Sequence, residues 1–387
     1  MAEVLKPGVV IKPQMDKEKA IEWIQEIYGL KAVNVKEFIS YDDRNFYFKV
    51  DKEAPIENEF IKEINEDGYT LKVTNSLDSK DVAFTEAQNE MILHMDKFGL
   101  EVPVPVKNKK GGFLSKEKLP ASGNNWEENN DENSGSKIFN EHSVRLLKFV
   151  KGKTLYEIRP WLPRHFFEAG VFCAKMDSSL KTFHHSAYDT RNSIWFLSSM
   201  PQVKKFLNAV QDLEDQKMCR DIIDSFDSQV LSLKNDLETG ILHGDFNEQN
   251  ILVRPMKNDP EQYEIFSVID FGDTQKNALI YELGITIMYM MTQCTEIDPN
   301  EAGGHVLAGY ETVRPLPDLE KKVLRLCVAA RYAQSLVMGA YSYQQDPTND
   351  YLLVTAKTGW KNLRNFWKVS QEDLYLKWDQ IKQTYNT

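Results

Sequence analysis

Residues 241–253 read ILHGDFNEQNILV, and residues 266–273 read FSVIDFGD. In the first stretch an apolar run ends in His243-Gly244-Asp245, a polar segment follows, and Asn250 opens a second apolar run. In the second, Ser267–Ile269 leads into Asp270-Phe271-Gly272-Asp273. Both place carboxylates where a short strand leaves the core, a position from which a rigid scaffold presents functional side chains. Asp-x-x-x-x-Asn followed by Asp-Phe-Gly supplies what phosphoryl transfer asks of a protein, namely positioned groups and metal ligands. One aspartate must orient a hydroxyl and take its proton; a second, with an amide oxygen, must hold Mg2+, which prefers hard oxygen donors. Asp245 is the candidate for the first role, and Asn250 with Asp270 for the second. Two polar turns capping a β-hairpin would not demand this set.

A donor nucleotide also calls for a cation. Thr70-Leu71-Lys72-Val73 places Lys72 inside an apolar alternating strand, where a lysine is costly unless paired. Glu86 and Glu90 lie on the helix that follows and are candidate partners. No GxGxxG precedes Lys72 and no GxxxxGK[ST] occurs, so neither a protein-kinase glycine loop nor a P-loop is present. The corresponding hairpin reads Ser40-Tyr41-Asp42-Asp43-Arg44-Asn45-Phe46. Each carboxylate there would repel a phosphate charge at 4 Å by about 4 kcal/mol at an effective dielectric near 20. Asp42 and Asp43 are therefore read as turn-fixing hydrogen bonders, and Asn45 as a candidate phosphate contact.

Outward from these motifs, periodicity divides the chain in two. Residues 1–148 read as a small antiparallel sheet with helices at Lys17–Tyr28 and Phe84–Phe98 and strands at Ala32–Ile39, Asn45–Asp51, Tyr69–Thr74 and Ser143–Phe149. Segment 107–140 is rich in Lys, Asn, Glu and Gly and is expected to be a disordered insertion, because it has too little apolar surface to offset its ordering entropy. Residues 149–387 read as mainly helical, with helices near 162–183, 203–213, 217–237, 279–293 and 318–340, two more toward the C-terminus, and one β-hairpin. The expected class is α+β, a two-lobed protein-kinase-like fold with a hinge near Lys148–Gly152.

The 387 residues carry 47 Lys and Arg against 58 Asp and Glu, a net charge of -11 with no basic cluster, which argues against a nucleic-acid or anionic-membrane partner. Four cysteines without a CxxC pair exclude a zinc-ribbon pattern and a disulfide framework. The first twenty residues lack a signal-peptide core, and the apolar stretch Ala278–Met291 is interrupted by Glu282, so a cytoplasmic protein is expected.

HGDFNEQN (243–250), IDFGD (269–273) and Lys72 with a helix glutamate resemble the aminoglycoside phosphotransferase and choline kinase superfamily. SYDDRNF (40–46), LKVTN (71–75), ITIMYMM (285–291), GGHVLAGYE (303–311), QSLVMGAYS (334–342) and TAKTGW (355–360) are similar to the animal hydroxylysine kinase family. That resemblance implies transfer of a phosphoryl group from GTP, or ATP, to 5-hydroxy-L-lysine. It also implies Asp245 as proton acceptor, Asn250 and Asp270 as metal ligands, and Glu86 as the partner of Lys72. Such a substrate carries two ammonium groups and one carboxylate. Asp273, with Glu282 or Glu311, is a candidate for the cations, Arg331 for the carboxylate through a bidentate contact, and Trp195 for a wall of the pocket. Met288, Met290 and Met291 read as helix packing. The competing readings are a kinase for homoserine, choline or an aminoglycoside, and a non-catalytic pseudokinase, against which intact Lys72, Asp245, Asn250 and Asp270 argue. A protein kinase is disfavoured because no APE-type segment follows Asp-Phe-Gly.

Overall fold

The computed structural model describes residues 10–40, 42–121, 139–345 and 355–385. These fall into two compact units that divide between Lys151 and Gly152. In the N-terminal unit, helix α1 (Lys17–Tyr28) starts at Asp16, whose side chain accepts the Lys19 N–H, and stops at Gly29. Strands β1 (Ala32–Phe38), β2 (Arg44–Val50) and β3 (Tyr69–Val73), helix α2 (Val82–Lys97), and strands β4 (Pro105–Val106), β5 (Ser115–Pro120) and β6 (Phe139–Lys148) follow. The sheet runs β1-β2-β3-β6-β4, with β5 also on β6, and every pairing is antiparallel. Alternation along β3 sends Tyr69, Leu71 and Val73 into a core shared with Phe46, Phe48, Val144 and Leu146 and covered by Trp23, Ile24 and Tyr28 of α1. The other face therefore carries Lys72, directly across from Asn45 on β2 and Arg145 on β6. There Arg145 donates to Asn89 Oδ1 of α2 at 3.2 Å.

The polar segment 107–140 is not irregular throughout, contrary to its composition. Asn108 is buried and its side chain organises the 108–114 turn. Beyond it β5 pairs residue by residue with β6, from Ser115 opposite Val144 to Pro120 opposite Phe139. An edge strand needs chiefly backbone hydrogen bonds and one buried anchor, here Leu119, so a polar composition does not forbid it. Residues 122–138 of that segment lie outside the described residues.

The C-terminal unit begins with β7 (Lys153–Thr154) and continues through helices α3 (Pro163–Leu180), α4 (Ala187–Thr190), α5 (Met200–Val203) and α6 (Leu213–Gln229). Strands β8 (Thr239–Leu242), β9 (Ile251–Pro255), β10 (Tyr263–Val268) and β11 (Gln275–Ala278) precede α7 (Leu279–Gln293), α8 (Pro299–Glu311), α9 (Asp318–Gln345), α10 (Ala356–Lys368) and α11 (Gln371–Gln383). The centre is α7, buried on nearly every side, with Met288, Met290 and Met291 packed in the core. The expected helix at 203–213 is instead α5 followed by 3-10 turns over Lys204–Ala209. Helix α6 starts earlier than its periodicity suggests because Asp212 accepts the N–H groups of Glu214 and Asp215 and caps it there. The single expected hairpin proves to be two ladders, β10-β9-β7 and β11-β8. Strand β11, Gln-Lys-Asn-Ala, lacks the β-branched alternation that marks a strand. All four cysteines are free and buried, and no helix among the described residues is long and apolar enough to cross a membrane.

Helices α3 and α8 touch backbone to backbone. A Cβ on Gly170 would lie 1.9 Å from the Val306 carbonyl oxygen and 2.8 Å from the Tyr310 nitrogen. Backbone cannot rotate away as a side chain can. Gly170→Ala is thus expected to lower stability by about 3 kcal/mol, roughly 6–12 °C in melting temperature. A thermal melt within about 2 °C of the parent would contradict that packing.

Candidate active site

The two ladders decide where the motifs lie. Residues 243–250 link β8 to β9, and residues 269–274 link β10 to β11. Since β9 pairs with β10 and β8 with β11, the two links must run side by side. They are stitched together: the Ile269 N–H donates to the Asn250 carbonyl at 2.9 Å, and His243 Nε2 donates to the Ile269 carbonyl at 3.0 Å. Burial lowers the pKa of His243, keeping it neutral for that role. Gly244 has φ of 83°, and a Cβ there would meet the Asp273 carbonyl oxygen at 2.3 Å, so only glycine fits. Its N–H donates to Glu282 Oε2 at 2.9 Å, tying the loop to α7. Glu282, offered by the sequence as a substrate acid, is fully buried; burial raises its pKa to about 8, with backbone donors pulling the other way.

The Asp245 carboxylate is held from two sides. Oδ2 accepts from Asn247 Nδ2 at 2.9 Å and from Asn250 Nδ2 at 3.2 Å. Oδ1 accepts from Arg331 Nη2 at 3.2 Å. Asn250 Nδ2 also reaches the Asp245 carbonyl at 2.9 Å. With its nitrogen committed inside the loop, the Asn250 amide leaves its oxygen as the atom available to a ligand. Asp270 is exposed at the start of the neighbouring link, with φ of 63°. These two hard oxygen donors are too few to hold Mg2+ alone, and they suit an ion that completes its shell with water and donor phosphates. Asp273 is raised to about 7, first by burial and then by the charge of Asp245, with Arg331 and Arg191 opposing.

Arg331 differs from expectation. The residue is 2% exposed. Besides Asp245, Nη2 donates to Tyr289 Oη at 3.0 Å, and Nη1 donates to the Trp195 carbonyl at 3.0 Å and to Gln334 Oε1 at 2.9 Å. All four terminal N–H groups are thus engaged within the protein, and Nε is buried. No accessible donor remains for a substrate carboxylate, so the bidentate role read from sequence is corrected. Trp195 is brought to the same cluster, with its ring centroid 5.8 Å from the Arg331 Cζ. Glu311 lies elsewhere, paired with Lys382 at 2.6 Å and Lys321 at 3.3 Å.

In the N-terminal unit, Lys72 is 7% exposed and its Nζ lies 2.9 Å from Asp43 Oδ2. The other Asp43 oxygen accepts from the Asn75 backbone N–H at 2.9 Å and from Asn75 Nδ2 at 3.1 Å. Asp43 therefore ties the start of β2 to Asn75 just beyond β3, where the sequence suggested a bond within its own turn, and pairs with the lysine as well. The missed signal was the two-residue period, which puts Asp43 on the face of Asn45 and hence of Lys72. Glu86 accepts from Asn89 Nδ2 at 3.3 Å. Burial and the charge of Asp43 raise the pKa of Asp42 to about 6.

An antiparallel-sheet unit joined to a helical one, with the paired loops of residues 243–250 and 269–274, is the build of a small-molecule phosphotransferase. The chain belongs to that class: residues 41–316 match the phosphotransferase enzyme family. It is a kinase that phosphorylates a hydroxyl group. Over nearly its whole length it is similar to the hydroxylysine kinase of Xenopus laevis, 36% identical over 382 residues, 97% of this chain and 96% of that one. The hydroxylysine kinase of Bos taurus is 32% identical over 387 residues, with 97% and 96% covered. Among solved structures, the fold resembles an amicoumacin kinase in complex with AMP-PNP, Ca2+ and Ami, at TM-score 0.64 and 14% identity, covering 93% of this chain and 97% of that one. It also resembles a microcompartment-associated aminopropanol kinase, at TM-score 0.61 and 15% identity, covering 91% and 95%.

Proposed function

We propose that this kinase transfers the γ-phosphoryl group of GTP or ATP to the hydroxyl of 5-hydroxy-L-lysine, as a cytoplasmic step of hydroxylysine breakdown. The observation that carries the acceptor is the full-length similarity to hydroxylysine kinases. The carboxylate geometry supports the chemistry. Oδ2 of Asp245 already accepts two hydrogen bonds and Oδ1 one, so Oδ1 keeps a lone pair for the hydroxyl proton. As the substrate oxygen bonds to the γ-phosphorus, its proton passes to Oδ1, and the bond to the β–γ bridging oxygen breaks to release the nucleoside diphosphate. Asn250 and Asp270 would hold Mg2+, which when bound neutralises charge on the donor phosphates. Lys72 and Asn45 serve the phosphates in the N-terminal unit, with Asp43 keeping the lysine in place; Glu86 of α2, expected as its partner, instead accepts from Asn89.

Asp273 is the proposed partner of a substrate ammonium. The ε-ammonium of hydroxylysine favours its carboxylate form, and homoserine, whose only ammonium is the α one, leaves that carboxyl group without its counter-charge. Specificity constants for hydroxylysine over homoserine are therefore expected to differ by at least about 100-fold. The test is to incubate the protein with Mg2+, GTP or ATP, and hydroxylysine, homoserine, threonine, choline or an aminoglycoside, and to identify each product by mass. Lysine, which lacks only the hydroxyl, is expected to inhibit competitively. A ratio near one, or a preference for choline, removes the hydroxylysine assignment and leaves the kinase class intact.

A further inference from the structure

We propose that Arg331 is a positioning residue for phosphoryl transfer, fixing the rotamer of Asp245 so that its one uncommitted lone pair faces the acceptor hydroxyl. The inference rests on the reading of Asp245 as proton acceptor and deepens it. A carboxylate held only through Oδ2, by Asn247 and Asn250, could still pivot near that oxygen by concerted changes of χ1 and χ2, which displace Oδ1. Arg331 removes that freedom by gripping Oδ1 from the opposite side. The guanidinium is itself immobilised by three other groups: Tyr289 on α7, the Trp195 carbonyl, and Gln334 one turn along its own helix α9. Gln334 in turn donates to the Ile194 carbonyl at 2.7 Å and the Phe196 carbonyl at 3.1 Å. Segment 194–196 is thereby fastened to α9 at three consecutive carbonyls, and α9 to the catalytic loop. A planar fork with fixed N–H directions can do this, whereas a lysine ammonium with the same charge cannot.

The consequence is a split between charge and geometry. Arg331→Lys keeps the cation and loses the fork, and misplacing a reacting group by about 1 Å costs on the order of 100-fold. We expect kcat to fall by about 30-fold or more in Arg331→Lys, with KM for nucleotide and for the best amino alcohol within about threefold of the parent. Tyr289→Phe deletes one acceptor without changing shape, so its kcat is expected to fall by about three- to tenfold with the same unchanged KM values. The double variant Asp245→Asn with Arg331→Lys should be no slower than Asp245→Asn alone, because the guanidinium acts through that carboxylate. If Arg331→Lys does not fold, Tyr289→Phe decides by the same signature. A kcat within twofold of the parent in the folded variants overturns the inference. So does a tenfold rise in KM for the amino alcohol with kcat retained, which would make the guanidinium a substrate ligand. Full activity in Asp245→Asn itself would instead remove the reading on which the inference stands.

Discussion

Asp245→Asn is expected to fold, to bind nucleotide, and to turn over at least about 1,000-fold more slowly than the parent. An asparagine has nearly the shape of the aspartate and keeps an oxygen for the Arg331 N–H 3.2 Å away. That neutral amide oxygen is, however, far too weak a base to take the hydroxyl proton, and the amide nitrogen at the Oδ2 position would face the side-chain donors of Asn247 and Asn250. Loss of that local pairing is expected to cost about 1–3 kcal/mol of stability, visible in a melt and small against the catalytic loss. Nucleotide affinity by calorimetry should change little, because the carboxylate serves the acceptor. Turnover within tenfold of the parent would mean that another group takes the proton.

The second large effect is at Asp270, where the backbone narrows the choice of substitution. With φ of 63°, this residue occupies the left-handed region, which aspartate, asparagine and glycine tolerate and alanine enters at a cost of about 1–2 kcal/mol. Asp270→Asn is therefore the cleaner probe. It retains the backbone conformation and one oxygen but loses the charge that attracts a divalent ion. Nucleotide binding is expected to become nearly the same with Mg2+ as with a chelator, and kcat to fall by at least about 100-fold. An unchanged Mg2+ dependence of nucleotide affinity in a folded Asp270→Asn protein would exclude Asp270 as a metal ligand.

Much of the architecture could be read locally. Helices α1, α2 and α7 and strands β2, β3, β9 and β10 follow from periodicity and from breakers such as Gly29, because amphipathic burial writes its period into adjacent residues. The HGDFNEQN and IDFGD motifs were legible for a related reason. Each is a short turn whose backbone demands, such as the positive φ at Gly244, restrict residue identity in place. What escaped was carried by edge strands and short helices: β5 and β11 lack a two-sided apolar pattern, and the 3-10 turns after α5 have no period of their own.

Sequence by itself determined which residue types were available for chemistry: a carboxylate and an amide five residues apart, a second carboxylate at residue 270, and a lysine in an apolar strand. Tertiary structure alone decided which partners those groups acquired. Arg331 lies 86 residues beyond Asp245, yet its guanidinium reaches that carboxylate, and the Lys72 ammonium meets Asp43 across the β2–β3 hairpin. Nothing local encodes such pairings. A buried charge must find its counter-charge within a few ångströms, and which segment supplies it depends on how helices and ladders pack. The same packing engaged the Arg331 donors and set the two motif loops side by side, because β8 pairs with β11 while β9 pairs with β10.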